Sequence, residues 1–289
     1  MKSNRAMFIA SMITFGTLGP FVRSIPLPSG ALAFWRAVLA ALLIAGYLAL
    51  SRQQIAHSSL RRELPLLLLS GAAMGFNWIL LFEAYKYTTV SVATLSYYFA
   101  PVIVTVASPI LFKERITPRQ ILCFAMSTLG IVLITGLGDL SAGGRHALGV
   151  AFGLGAAVLY AAVILLNKFI RGVAGIHRTL LQFLAAIAVL LPYVAATGGF
   201  APVAMGAAGW ACLLIVGLVH TGVTYCLYFT ALKEMPGQKA AILSYIDPLV
   251  AVLISVVVLG ETLTPAQAIG GALILGFTLY NEIAPASKA

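Results

Sequence analysis

Acidic side chains are scarce in this chain. It has eight Asp and Glu in 289 residues, and charged residues of both signs make up 9%. A soluble domain carries roughly 25% charged residues, so the chain lacks the polar surface to face water on every side. Cysteine is also sparse. Cys123, Cys212 and Cys226 lie inside apolar runs without the spacing of a metal site, and read as small packing residues. There is no G-x-x-x-x-G-K-[ST] loop, which argues against direct ATP hydrolysis. H-E-x-x-H, Cys-x-x-Cys and a nucleophile triad are missing too. No enzyme activity, metal or cofactor is therefore expected. The strand alternation of a membrane barrel is absent, and no loop is long enough for the sensing region of a receptor.

Apolar residues are abundant, at 61%. Ten runs are long enough to span a bilayer, which takes about 20 helical residues: 6–22, 29–50, 64–84, 88–112, 117–136, 147–167, 177–197, 209–231, 236–259 and 263–282. Helices are the expected form, because lipid offers no partner to a free backbone N–H or C=O. The first run follows Lys2 and Arg5, and Ala31-Leu32-Ala33 has the small-x-small form of a cleavage site. Cleavage is not expected, because that site falls inside the second run.

Lys and Arg outnumber Asp and Glu by 18 to 8 and sit between the apolar runs. That placement points to membrane topology and not to nucleic acid. With the N-terminus in the cytoplasm, fourteen Lys and Arg fall on the cytoplasmic side. Arg23, Lys86 and Arg145 fall outside, and Arg36 lies within a helix. Both termini are expected in the cytoplasm, in a bacterial inner membrane.

At an offset of 147 the second half repeats the first. Ala84–Gln120 lies against Ala231–Gln267 without a gap, with 10 of 37 positions identical. Tyr98/Tyr245, Pro101/Pro248, Ser108/Ser255, Glu114/Glu261 and Gln120/Gln267 are among them. Duplication in an apolar chain marks a two-fold transporter with its path between the halves. Five spans per copy is an odd number, so the second copy enters inverted. The expected fold is an all-α integral membrane protein of ten transmembrane helices, two inverted five-helix repeats around a central cavity. Residues 1–136 form the first repeat, 137–146 a short Gly-rich connector and 147–289 the second repeat.

Several residues stand out along the expected path. Pro101 and Pro248 interrupt the fourth and ninth spans and deprive the carbonyls of Tyr97 and Ser244 of a helical partner. They read as hinges or as packing kinks, with Tyr98 and Tyr245 beside them. Asn77-Trp78 corresponds to Thr224-Tyr225 in the repeat, and Gly75 to Gly222. On the eighth span His220, Thr221, Thr224 and Tyr225 share a stripe, either facing a wet cavity or bonding to neighbouring helices. The candidate substrate contacts are Asn77, Trp78, Tyr98, Thr221, Thr224, Tyr225, Ser244 and Tyr245. A charge at the bilayer centre costs roughly 3 kcal/mol or more, which singles out Glu83, His220 and Asp247 as candidate coupling or polar groups. Asp247 reads as a site for an ammonium group or a proton, or as a cap for the backbone near Pro248. Arg36 reads as structural or interfacial, and no charge stands at its repeat position. No deep carboxylate recurs in both halves.

The paired repeats, the Phe34-Trp35-Arg36 element, and the two segments running from proline to glutamate (Pro101 to Glu114, Pro248 to Glu261) resemble the EamA-type, ten-helix branch of the drug/metabolite transporter superfamily. Within it the chain is most similar to the YddG-type bacterial exporters. That resemblance implies export of aromatic and other neutral amino acids, and of flat organic cations. Transport as a facilitator or by exchange with protons is open. The alternative is a proton-coupled multidrug exporter of lipophilic cations, with Asp247 or Glu83 as the coupling acid.

Overall fold

The structure is a computed structural model. It describes residues 2–51, 57–112, 117–135, 144–170, 172–173, 175–200, 204–232 and 243–283. Among these residues every regular element is a helix. In chain order they are α1 (Lys2–Gly16), α2 (Leu18–Arg23), α3 (Ser29–Leu50), α4 (His57–Tyr87), α5 (Val90–Tyr97), α6 (Ala100–Phe112) and α7 (Pro118–Thr135). Then follow α8 (Arg145–Phe169), α9 (Gly175–Ala196), α10 (Ala207–Leu214), α11 (Ile215–Val223), α12 (Thr224–Leu232), α13 (Ile246–Val257) and α14 (Pro265–Ile283).

Seven helical stretches among the described residues are long and apolar enough to cross a bilayer. They are Asn4–Arg23, Ser29–Leu50, Leu60–Tyr87, Val90–Ala107, Arg145–Phe169, Gly175–Ala196 and Ala207–Ala231. Pro118–Ile134 and Ile246–Val257 are shorter apolar helices. The expected second span, 29–50, coincides with α3. The expected third span, 64–84, lies inside a longer helix: α4 begins at His57 and runs through Arg61-Arg62-Glu63 and Pro65, and its apolar stretch is Leu60–Tyr87. A charged turn ends an apolar run without ending a helix. Of the expected connector, residues 137–143 lie outside the described residues, as do Glu114, Arg115 and the start of the ninth span.

Large apolar side chains such as Leu42, Leu69, Ile121 and Leu253 point outward, whereas Arg36, Asn77, Gln182 and His220 are buried. This reverses the usual arrangement in water and suits a lipid surround. The largest core cluster centres on Phe82, Phe183, Leu32, Ile44 and Leu190.

Small residues let the helices approach closely. A Cβ placed on Gly75 of α4 would stand 3.2 Å from Leu190 Cγ of α9, and one placed on Gly222 of α11 would stand 3.1 Å from Leu43 Cδ1 of α3. Those two contacts map onto each other at the 147-residue offset. Gly71 meets Ala185 and Gly75 meets Ala186 and Leu190, so α4 and α9 run parallel. Gly217 meets Leu39 and Gly222 meets Leu43, so α3 and α11 also run parallel. By contrast, Gly130 approaches Ile274 while Gly270 approaches Ile134, which makes α7 and α14 antiparallel.

Local signals recur at the same offset. Thr117 N–H bonds Gln120 Oε1 at 2.8 Å and Gln120 N–H bonds Thr117 Oγ1 at 3.3 Å. Thr264 and Gln267 repeat that pair at 3.0 and 3.2 Å. Each is a capping box with proline at the first helical position, starting α7 and α14. The helical path is also interrupted at Tyr98-Phe99 and again at Tyr245. Both breaks lie two or three residues ahead of a proline that offers no N–H.

Candidate functional site

Two adjoining cavities share Phe15, Tyr98, Tyr160, Tyr225 and Asp247 and form one crevice through the centre. The smaller space, about 120 Å³, is bordered by Gly16, Leu18, Gly19, Arg36, Trp78, Leu81, Tyr85, Thr94 and Tyr97. The wider one, about 280 Å³, is bordered by Met74, Asn167, Arg178, Gln182, Tyr228, Phe229 and Ser244. Residues from both halves of the sequence line each space.

Asp247 sits in the first turn of α13, where helix backbone dipoles favour an anion. Tyr98, at the break after α5, donates its hydroxyl to Asp247 Oδ2 at 2.5 Å. Around them the aromatic rings are in mutual contact. Tyr97 stacks on Tyr160 with centroids 5.0 Å apart, and Phe15 meets Tyr225 edge-on at 5.3 Å. Such pairs add modestly to the area they bury and hold the rings in fixed orientations.

Arg36 lies on α3 and is 4% exposed. Its Nε donates to Thr221 Oγ1 at 2.7 Å. Its guanidinium carbon stands 4.7 Å from the Trp78 ring centroid and 5.6 Å from that of Phe82. Thr221 belongs to α11, a π-helical stretch. The hydroxyls of Thr221 and of Thr224, the first residue of α12, donate to α11 carbonyls five residues back, Val216 and Val219, each at 2.7 Å. The wider helix leaves carbonyls for those hydroxyls, and π segments are rare away from functional regions. At the equivalent place the first half has an unbroken α-helix, α4.

Beyond the Tyr85 side lies a clamp. Arg23 pairs with Glu261 and donates to the carbonyls of Tyr85 and Thr88. Glu261 accepts from Val90 N at 2.9 Å and from the Ser255 hydroxyl, capping α5. The clamp ties α2, the α4–α5 turn and the far end of α13 together.

The structure brings Trp78, Tyr98, Tyr225, Ser244 and Asp247 to the crevice. It turns Asn77 toward α8, where Nδ2 donates to Ala156 O at 2.5 Å. Thr221 and Thr224 are occupied as described, and Tyr245 is buried outside both linings. His220 bonds Thr17 Oγ1 at 3.0 Å and packs on Phe21, off the crevice. Glu83 pairs with Lys86 at 2.9 Å, near the surface. Pro101 lies in α6 and Pro248 in α13. Sequence reasoning did not select Arg36, Tyr97, Tyr160 or Arg178 as lining residues. Arg36 carried a signal, a lone charge deep in an apolar run. Tyr160 and Tyr97 carried none, because tyrosine is equally at home at a membrane interface.

A helical, lipid-surrounded chain with a polar, aromatic crevice between its halves is a multi-pass membrane transporter for small molecules. The chain belongs to the EamA-like transporter family, which matches residues 5–136 and again residues 147–281. It is 29% identical over 282 residues to the uncharacterized transporter YxxF of Bacillus subtilis, covering 97% of this chain and 90% of that one. It is 30% identical over 284 residues to an uncharacterized transporter of Archaeoglobus fulgidus, covering 96% of each. One solved crystal structure matches with a TM-score of 0.64 at 20% identity over 96% of both chains, which shows a shared fold.

Proposed function

We propose that this transporter exports aromatic and other neutral amino acids, or closely related metabolites, across the bacterial inner membrane by alternating access. The observation that carries the reading is the crevice itself. Tyr97, Tyr98, Tyr160, Tyr225 and Trp78 surround one carboxylate, Asp247, at the junction of the two cavities. Aromatic walls stack on flat side chains and attract ammonium groups.

Two inverted five-span repeats, residues 1–136 and 147–289, supply the motion. Several observations support that arrangement. The family matches twice. The Gly75–Leu190 and Gly222–Leu43 contacts correspond. Parallel α4/α9 and α3/α11 with antiparallel α7/α14 is the pattern that ten alternating spans with an in-plane two-fold require. In the expected orientation the Arg23–Glu261 clamp closes the outer end. Tyr98 and Tyr245, at the breaks ahead of Pro101 and Pro248, are the hinge points, and the two packings exchange at little net energy.

A facilitator is favoured over a proton-coupled multidrug exporter, because Arg36 borders the same space as Asp247 and opposes a purely cationic cargo. The decisive experiment is uptake of a panel of labelled amino acids into vesicles of the purified protein, with and without a pH gradient. Flux without a gradient is expected. Flux of quaternary cations only, and only with a gradient, would replace this reading by the multidrug one.

A further inference from the structure

Arg36 and Asp247 border one small space, yet no ion pair joins them. Arg36 makes one hydrogen bond to a described residue, and it comes from Nε to a neutral hydroxyl. No carboxylate is paired with its guanidinium, and the residue borders the space. A guanidinium in hydrocarbon without a counter-ion is costly, even with aromatic faces beside it. Asp247 likewise has a neutral partner, the Tyr98 hydroxyl. Two ionisable groups of opposite sign, not paired with each other, border a cavity of about 120 Å³ and together make a dipolar receptor.

We infer that Arg36 is the residue that recognises a substrate carboxylate, and Asp247 its ammonium counterpart, so that the cargo is bound as a zwitterion. This rests on the amino-acid reading above and deepens it. The planar guanidinium fork matches a carboxylate in a way a lysine would not. The Trp78 face and the Thr221 hydroxyl hold that fork in place, and the π-helical turn of α11 is what brings Thr221 under it. With its head group between the two charges, the substrate's side chain extends past Tyr98 and Tyr225 into the wider space beside Tyr160 and Phe229. In the repeat the 147-residue offset sets Phe183 against Arg36, so this guanidinium has no counterpart in the second half. Arg178, the other guanidinium on the crevice wall, donates to the carbonyls of Asn167 and Ile170, which leaves Arg36 for the carboxylate.

The test compares phenylalanine with phenethylamine, which lacks the carboxylate, and 3-phenylpropionate, which lacks the ammonium group. Affinity is read by competition against whichever labelled amino acid the wild-type protein transports. Wild-type protein is expected to prefer phenylalanine to either analogue by at least ~10-fold, because an analogue that lacks one pole leaves a buried charge unpaired. Arg36→Gln is expected to remove the preference over phenethylamine while keeping that over phenylpropionate, and Asp247→Asn the reverse. Arg36→Lys should restore part of the first preference. If Arg36→Gln fails to fold, the wild-type series still decides. Equal affinity for phenylalanine and phenethylamine overturns the inference, as does an equal loss for both ligands in Arg36→Gln. If wild-type protein moves no amino acid at all, the functional reading fails first, and that result is separable from an amino-acid transporter that ignores the carboxylate.

Discussion

At the residue scale, neighbours in sequence have different tasks. Asn77 bonds a backbone carbonyl of α8, while Trp78 carries the Arg36 guanidinium on one face and meets Phe183 edge-on at 5.4 Å. Trp78→Ala is therefore a poor probe of transport alone. Deleting a buried indole costs about 3–5 kcal/mol, and the expected result is a lower melting temperature in detergent together with lost flux. Tyr98→Phe is the cleaner change. It keeps the ring and removes the hydroxyl that reaches Asp247, so transport is expected to fall at least several-fold, with melting lowered less than in Trp78→Ala. Initial uptake rates in vesicles, set beside a melting curve, check this. Normal flux in Tyr98→Phe would remove that hydroxyl from the path.

At the element scale, close approach and capping carry the stability. Gly75 and Gly222 each face a leucine on a neighbouring helix, and an added methyl group falls inside ordinary contact distance. Gly75→Val and Gly222→Val are expected to destabilise by about 1–3 kcal/mol each through overpacking, and by similar amounts because the contacts correspond. Gly276→Ala meets open space and is expected to leave melting unchanged. Glu261→Ala removes the cap on α5 together with the Arg23 pair. A lost cap costs about 0.5–2 kcal/mol, and loss of the pair, whose Glu261 side chain is only 8% exposed, adds to that. The same melting assay reads all four variants. Unequal effects at Gly75 and Gly222 would weaken the case for equivalent halves.

At the scale of the whole molecule, span number and inversion decide the mechanism. Single cysteines at Asn4 and Lys288 are expected to react with an impermeant reagent only after the cells are opened. A cysteine at Lys86 is expected to react in intact cells. Opposite behaviour at the two ends would mean an odd number of spans, and the mirrored arrangement would go with it. The helical, membrane-spanning class was legible because a chain with so few charges can neither face water nor leave its backbone unpaired in lipid. The start of the α4 helix was not legible, because charge ends an apolar run without ending a helix.

The sequence by itself determined that the chain spans a membrane as helices. It also placed the interruptions beside Pro101 and Pro248, since proline acts on its own turn. It further marked Arg36 and Asp247 as groups in need of a partner. The tertiary structure alone decided which polar side chains meet. Helical periodicity assigns a residue to a face but does not say which neighbour covers that face. The glycine contacts, the π-helical turn under Arg36 and the approach of α5 to α13 settle that, and each depends on residues more than a hundred positions apart.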